Sequence, residues 1–427
     1  MASSAHSKYL LELPAEWKQV PVRALGTVYA GGTPSRDIPR YWNGTIHWVT
    51  PAEITRLEGK YLSKTNECIT YEGLTCCAAK VLPEGSLLVT TRATIGAVAV
   101  SKLSVCTNQG FKNIVPNEIS NVDFYYHLFS VIVPELSRLA SGSTFPEINQ
   151  RSFESIIVPR PSKDEQRRIA EILDTIDEAI QKTEALISKL KVMKQGLLHD
   201  LLTRGLDKNG KLRDPKAHPE QFKDSPLGRI PKEWKVVPLG KISRVRRGAS
   251  PRPIDNSVWF APEGKGWIRI SDVTKANGRL KETEQYLSSA GVNKSISVYP
   301  GQIIMSICAT IGEPIILGMD ACIHDGFVVF DQYDRFMYTE FLIHFLRFEQ
   351  SYFRSQGQTG TQANLNTSIV KNCIIGLPVL NEQKKIADIL DDHDSRIRTE
   401  EQYRDKLKLQ KKGLMHDLLT GKVRVKI

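Results

Sequence analysis

The chain has 427 residues, enough for two to three domains, and its 41% hydrophobic and 25% charged residues are the balance of an ordinary soluble globular protein. Its seven cysteines form no C-x-x-C pair, which argues against a zinc site or a disulfide framework and fits a reducing cytosol. The opening M-A-S-S-A-H-S-K lacks a signal-peptide core and the apolar run Ile303–Gly312 is too short to cross a bilayer, so a cytoplasmic location and no membrane partner are expected, while a formal net charge of +11 points to a polyanionic partner.

Residues 1–160 read as a first globular domain of mixed, mostly β character. It opens with L-P-A-E-W at Leu13–Trp17. Short apolar runs such as Ser86–Val89 are bounded by Pro, Gly and Asn turns, and a short helix is expected near Asp123–Ala140. Arg36, Arg40, Arg92, Asn108, Gln109 and Lys112 lie in or beside Gly/Thr/Pro loops, where a β scaffold can present them to a ligand. Lysine and arginine neutralise phosphates, and arginine, asparagine and glutamine also read base edges in pairs of hydrogen bonds. The competing reading of each is a solvated basic face. Glu58-Gly59-Lys60 with Asp37 upstream, and Glu263-Gly264-Lys265 with Asp255 upstream, imitate an acidic pair plus lysine able to hold a metal. The pattern is short and its glycine signals a turn, so a structural turn is the preferred reading.

Residues 161–204 form a central long helix. Pro161 precedes it, and Ser162 with Glu165 has capping-box spacing. Ile169, Ile176, Thr183, Leu190 and Leu197 share one heptad position. Leu173, Ile180, Ile187, Lys194 and Leu201 share the other. A helix of about 60 Å with one apolar stripe needs a partner.

Residues 205–228, rich in Lys, Asp, Pro and Gly, read as a polar linker. Residues 229–378 are a second globular domain and 379–427 a C-terminal long helix, and both repeat what came before. Gln166 and Gln383, His199 and His416, and Trp17 and Trp234 are each separated by 217 residues. The paired segments are D-E-Q-R-R-I-A-E-I-L-D with N-E-Q-K-K-I-A-D-I-L-D, and G-L-L-H-D-L-L-T with G-L-M-H-D-L-L-T. Between them, A-T-I-G recurs at Ala93 and Ala309, and Asn108-Gln109-Gly110-Phe111 sits opposite His324-Asp325-Gly326-Phe327. The recurring tryptophans Trp17, Trp48, Trp234 and Trp267 read as core. The second helix offers the matching seam Ile386, Leu390, His393, Ile397, Glu400, Arg404, Leu407, Lys411, Leu414 and Leu418. In the second domain the basic residues Arg244, Arg246, Arg247, Arg252, Lys265, Arg269, Lys275, Arg279 and Lys281 are opposed locally only by Asp255, Glu263 and Asp272. Among these, Arg246, Arg247, Arg252, Arg269 and Lys275 are the candidate DNA contacts. The fold class expected is α/β (α+β): two pseudo-symmetric globular domains separated by two long helices that form an antiparallel coiled coil.

These motifs resemble the DNA-specificity subunit of type I restriction-modification systems over nearly the whole chain. The resemblance rests on L-P-x-E-W at the start of each half, G-S-T or T-G-T before each helix, the E-Q-x-x-I-A-x-I-L helix start, and G-L-x-H-D-L-L-T at each helix end. It implies two target recognition domains on double-stranded DNA, each reading half of a bipartite site. It also implies two methyltransferase subunits and, in a restricting complex, restriction subunits. Catalysis would then belong to those partners, with S-adenosylmethionine, ATP and Mg²⁺ bound there and no cofactor or metal in this chain. The residues alone leave two alternatives, a stand-alone Mg²⁺-dependent nuclease using the Glu-Gly-Lys turns, and a coiled-coil adaptor without DNA specificity.

Overall fold

The computed structural model describes residues 13–140, 146–276, 278–357 and 365–427. The G-S-T and T-G-T segments at 142–144 and 359–361, and the opening M-A-S-S-A-H-S-K, lie outside them. The chain divides into two compact units. One is Met1–Leu186 with Glu400–Ile427, and the other is Ile187–Thr399. The expected division at the start of each long helix is therefore replaced by one in which each unit takes half of both helices.

In the first unit the main sheet has the strand order Gly26–Ala30, Phe111–Pro116, Leu87–Thr90, Val98–Ser101, Tyr61–Leu62. All its pairings are antiparallel except the last, which is parallel. The second unit has the same order with Arg244–Arg247, Phe327–Asp331, Ile303–Ser306, Pro314–Leu317 and Arg279–Leu280, again with only the last pairing parallel. The central strands are continuous apolar runs because both faces are covered. Leu87 and Val89 pack with Phe124, Leu128 and Phe129 of the helical layer, while Leu88 faces Val49, Ile54 and Phe111 on the other side. Ile303 and Met305 likewise face Phe341 and Leu342, and Ile304 faces Ile268 and Leu317. The helical layer comprises Val122–Val131 and Val133–Leu139 in one unit, where a helix is expected, and Thr339–Phe348 and Gln350–Gln356 in the other.

A smaller sheet in each unit carries the recurring tryptophan. Trp48 pairs with Cys106 and Trp267 with Cys322 across parallel strands, and both indoles are buried. The residues after each L-P-x-E-W or I-P-K-E-W form a closing ribbon. Lys18 lies opposite Arg160 and Lys235 opposite Leu377, the same register shifted by 217 residues. Each ribbon leads directly into a long helix, Lys163–Thr203 or Leu380–Leu419.

The helix start explains its own sequence. Gln166 is fully buried. It accepts from the Asn121 N–H at 2.8 Å and donates to the carbonyls of Pro161 and Ile119 at 3.0 and 3.3 Å. Gln383 does the same with the Tyr338 N–H and the carbonyls of Pro378 and Phe336. A side-chain amide suits the place because, from a buried position, it meets one main-chain donor and two main-chain acceptors at once. Gln383→Ala is expected to cost about 3 kcal/mol, since each buried polar group left unpaired costs about 1–3 kcal/mol. Urea unfolding checks this, and a loss below about 1 kcal/mol would contradict it.

Ser162 does cap the first helix, accepting from the Glu165 N–H at 3.2 Å. The Glu165 side chain, however, does not complete the expected box. It accepts from Trp17 Nε1 at 3.0 Å and pairs with Arg424.

The expected seam is buried but is shared between two uses. In the first unit Ile169 and Leu173, with Met415 and Leu418, are part of the globular core, whereas Ile176, Ile180 and Leu407, flanked by Leu414, form a helix–helix cluster. In the second unit Leu201, Ile386 and Leu390 join the globular core with Leu197 beside them, and Ile187, Leu190 and Ile397 are buried as well. Within each unit, the seam residues nearest the globular domain are thus sealed into its core, and in the first unit Ile176, Ile180 and Leu407 join one long helix to the other. Leu198 and Leu202 are also buried, a stripe wider than a strict heptad seam. Within the first unit Asp177 meets Lys411 and Glu184 meets Lys408, both at 2.6 Å, so the two helix segments run antiparallel. In the second unit Lys194 of the polar mid-seam pairs with Asp394.

The segment 205–228, expected as a polar linker, carries structure of its own. Phe222–Ser225 pairs with Gly228–Pro231 in a hairpin, Leu206 bridges to Leu212, and Arg213 is buried against Glu382.

Candidate nucleic-acid interface

The main-sheet topology gathers three loops at one end. The strand Gly26–Ala30 ends where Phe111–Pro116 begins, Ala30 beside Lys112, and Leu87–Thr90 also ends there, Thr90 beside Phe111. The loops 31–37, 91–97 and 108–110 therefore share one rim. The second unit repeats this, with Arg247 beside Val328 and Ser306 beside Phe327. The loops crowd each other at a glycine. A Cβ on Gly31 would lie 1.9 Å from the Asn108 carbonyl, and one on Gly248 would lie 2.0 Å from that of His324. A hydroxyl then clasps the opposing loop at matching positions. Thr33 Oγ1 donates to Gln109 Oε1, and Ser250 Oγ donates to Asp325 Oδ1 at 2.6 Å. The A-T-I-G turns place Ala93 and Ala309 at φ 61° and 55°, a left-handed conformation that costs alanine about 1–2 kcal/mol and clusters at functional sites. Ile148 and Leu365 tie a further segment to this rim, donating to the carbonyls of Thr91 and Ile307 at 3.0 and 2.8 Å.

The candidate residues distribute unevenly over the two rims. Arg36 is exposed, stacked 3.9 Å over the Trp42 ring and forked onto Glu67. Arg40 pairs with Glu72 at 3.0 Å. Arg92 sits 3.6 Å from Glu147. Lys112 lies 3.6 Å from the same carboxylate, but it is only 4% exposed and burial lowers its pKa. The structure removes it from the groups able to reach a phosphate. Asn108 is half-buried and bonded within its own loop, its Oδ1 accepting from the Gly110 N–H at 2.8 Å, whereas Gln109 is exposed.

In the second unit Arg246 and Arg244 converge on Asp331, which is 4% exposed. Burial pushes the Asp331 carboxyl up, but the two guanidiniums hold it below the usual carboxylate range. Arg247 Nε donates to the Asp325 carbonyl at 2.7 Å, Arg252 pairs with the Asp325 carboxylate at 3.0 Å, and Lys275 pairs with Glu284. Arg269 opens the helix Ile270–Lys275, its N–H donating to Asp272 at 2.8 Å, and its guanidinium has no carboxylate partner among the described residues. The local charge count therefore overstates the free positive charge. Asp325, Asp331, Glu284 and Glu340 come from later in the chain, Glu340 holding Arg279 at 3.2 Å. No local pattern in the sequence marks Glu67 or Glu147 as partners, and only the opposition of Asn108-Gln109 to His324-Asp325 points toward Asp325.

Ser250, Arg252, Arg269, His324 and Asp325 line an open cleft of about 490 Å³. Burial pushes the His324 imidazole down to about 4, so it is neutral at pH 7. Its Nδ1 accepts from the Gly326 N–H at 2.9 Å, which leaves the proton on Nε2. Burial raises the Asp325 carboxyl, but the Ser250 hydrogen bond, its own main chain and Arg252 hold it below its usual range, so it is ionised.

The Glu-Gly-Lys turns do not resemble a metal site. Lys60 is held by Asp123 at 2.8 Å and Asp174 at 2.6 Å, and these carboxylates raise its pKa despite its burial. Lys265 sits 4.7 Å over the Tyr299 ring. His344, Asp391 and Asp394 bring potential ligand atoms within 4.8 Å of one another, but Lys194 and Arg347 already pair with Asp394. His199 stacks near Phe348 at 6.0 Å, a packing role. No described helix is long and apolar enough to cross a membrane.

The duplicated sheet, its rim loops and the two long helices define a two-domain DNA-specificity architecture. The sequence profile described as "type I restriction modification DNA specificity domain" matches residues 14–192 and again 231–409, and the chain belongs to that family. The type I restriction enzyme MjaIX specificity subunit of Methanocaldococcus jannaschii is 31% identical over 268 residues, which span 62% of this chain and 60% of that protein. The MjaVIII specificity subunit of the same organism is 25% identical over 97% of this chain and 95% of its own length. The fold is shared with a chain from a study of complex assembly and conformational transition of the type I restriction-modification system. That match has a TM-score of 0.60 at 18% identity over 96% of this chain and 100% of the other. It is shared also with the S subunit from M. genitalium, with a TM-score of 0.57 at 13% identity over 98% and 99%.

Proposed function

We propose that this chain is the DNA-recognition subunit of a type I restriction-modification complex, and that each globular domain reads one half of a bipartite site in double-stranded DNA through its rim of three loops. The carrying observation is that both rims are built alike, on one strand order and one Gly–carbonyl crossing, yet differ in the side chains they display: Thr33, Arg36, Arg92 and Gln109 against Ser250, Arg252 and Asp325, with Arg269, at the end of a smaller-sheet strand, beside the latter. A constant scaffold with variable loops suits two readers of different sequences.

Two methyltransferase subunits are the expected partners, with restriction subunits joining them where cleavage occurs. In support, Val192 and Leu409 stand 217 residues apart on the long helices and each is 70% exposed, so each unit offers an equivalent apolar anchor. Methyl transfer from S-adenosylmethionine, and ATP- and Mg²⁺-dependent cleavage, are assigned to those partners. Incubation of the purified chain with labelled S-adenosylmethionine and DNA is expected to give no transfer until a methyltransferase subunit is added. Robust transfer by the chain alone would overturn the assignment.

A further inference from the structure

Arg269 and Asp325 line the same cleft of the second domain, one a donor with no carboxylate partner among the described residues, the other an acceptor already oriented. Asp325 is not free to turn. Its Oδ1 accepts from Ser250 at 2.6 Å, Arg252 approaches Oδ2 at 3.0 Å, and Arg247 holds its carbonyl at 2.7 Å. Arg269 is fixed at its root, because its N–H caps the helix Ile270–Lys275 through Asp272. His324 supplies a neutral wall, packed on Phe327 at 4.8 Å and Trp267 at 5.9 Å.

This donor and acceptor set matches one base pair. Guanine shows two acceptors in the major groove, N7 and O6, and cytosine shows the N4 amino donor. An adenine·thymine pair would set the adenine amino group against a guanidinium and the thymine O4 against a carboxylate, which are donor–donor and acceptor–acceptor clashes. We infer that this cleft reads a G·C pair in the second half-site, Arg269 donating to guanine and Asp325 accepting from the cytosine amino group. Arg252, exposed at the cleft mouth, exchanges its Asp325 contact for a phosphate when DNA binds. The matching position of the first domain holds Gln109 clasped by Thr33, an amide with both donor and acceptor, so the two domains ask different questions at one place in the fold.

The inference rests on the recognition function proposed above, and the test separates the two. The full chain is assembled with its methyltransferase subunits, and the bipartite target is taken from methylated-base sequencing. Binding is then measured at fixed salt to duplexes substituted at each position of the second half-site, for the native chain, Arg269→Ala and Asp325→Asn. One G·C position is expected at which the native complex rejects A·T by ~5- to 150-fold and both variants lose that rejection, with discrimination elsewhere unchanged. Asparagine can donate as well as accept, so Asp325→Asn should admit thymine without weakening the best site greatly. A second half-site lacking any G·C pair, a uniform loss over all duplexes, or variants that discriminate like the native chain would each overturn the cleft assignment while leaving the function standing. A target that does not depend on this chain at all would overturn the function itself.

Discussion

Arg213→Ala is expected to destabilise the second unit by about 3–5 kcal/mol, the cost of leaving a buried charge without its partner. Glu382 opens the second long helix and is 7% exposed. Arg213 forks onto it at 2.6 and 3.3 Å, the Leu206 N–H donates to it at 2.8 Å, and Trp234 Nε1 donates at 3.3 Å. Gly205 passes so close, at φ 62°, that a Cβ there would lie 2.3 Å from the carboxylate. The segment following one helix is thereby fastened to the start of the other. The first unit repeats the device with Glu165, Trp17 and Arg424, at 2.6 and 3.0 Å for the guanidinium, but there the Arg424 side chain is 40% exposed. Water can replace it, so Arg424→Ala should cost less, about 1–3 kcal/mol. Thermal unfolding distinguishes the two. Arg213→Ala should lower the midpoint by roughly 6–20 °C, and a change smaller than that of Arg424→Ala would refute burial as the cause of the difference.

Exchanging residues 240–370 for those of a relative with a different target is expected to change one half of the methylated motif and leave the other intact. The ground is that the sheet, rim and second-domain cleft all fall within this stretch, while the closing ribbon Lys235–Pro238 and Ile374–Leu377 and the long helix lie outside it. The exchanged segment thus replaces the reading loops and leaves every partner of the Glu382 cluster in place, while Gln383 meets it only through the main chain at positions 336 and 338. Sequencing of methylated bases in a host carrying the chimera gives the answer. A motif altered in both halves would show that the two domains do not read independently.

Much of the architecture is legible in the sequence because it is written twice. The 217-residue offset, the paired tryptophans and the E-Q-x-x-I-A helix start correspond to closing ribbons, buried indoles and a buried amide in identical register. Long-range partnership is what the sequence does not show. Asp331 lies far along the chain from Arg244 and Arg246, and Asp325 from Arg252, so a window of local charges counts these arginines as free. Lys112 looks like a loop cation, yet it belongs to the strand Phe111–Pro116 and points into the protein. Segment 205–228 has linker composition, but its one buried arginine has a partner on the other long helix. The Ser162/Glu165 spacing looks like a self-contained cap, and Trp17 and Arg424 win the glutamate because both donors are brought to it by folding.

If this chain selects the DNA sequence that partner subunits modify, its presence alone should decide which bases carry a methyl group. The most direct measurement is genome-wide sequencing of methylated bases in one host with and without the chain, its methyltransferase subunit being present in both. A bipartite methylated motif present only when the chain is present is the predicted result. The same set of methylated motifs in both hosts would contradict it.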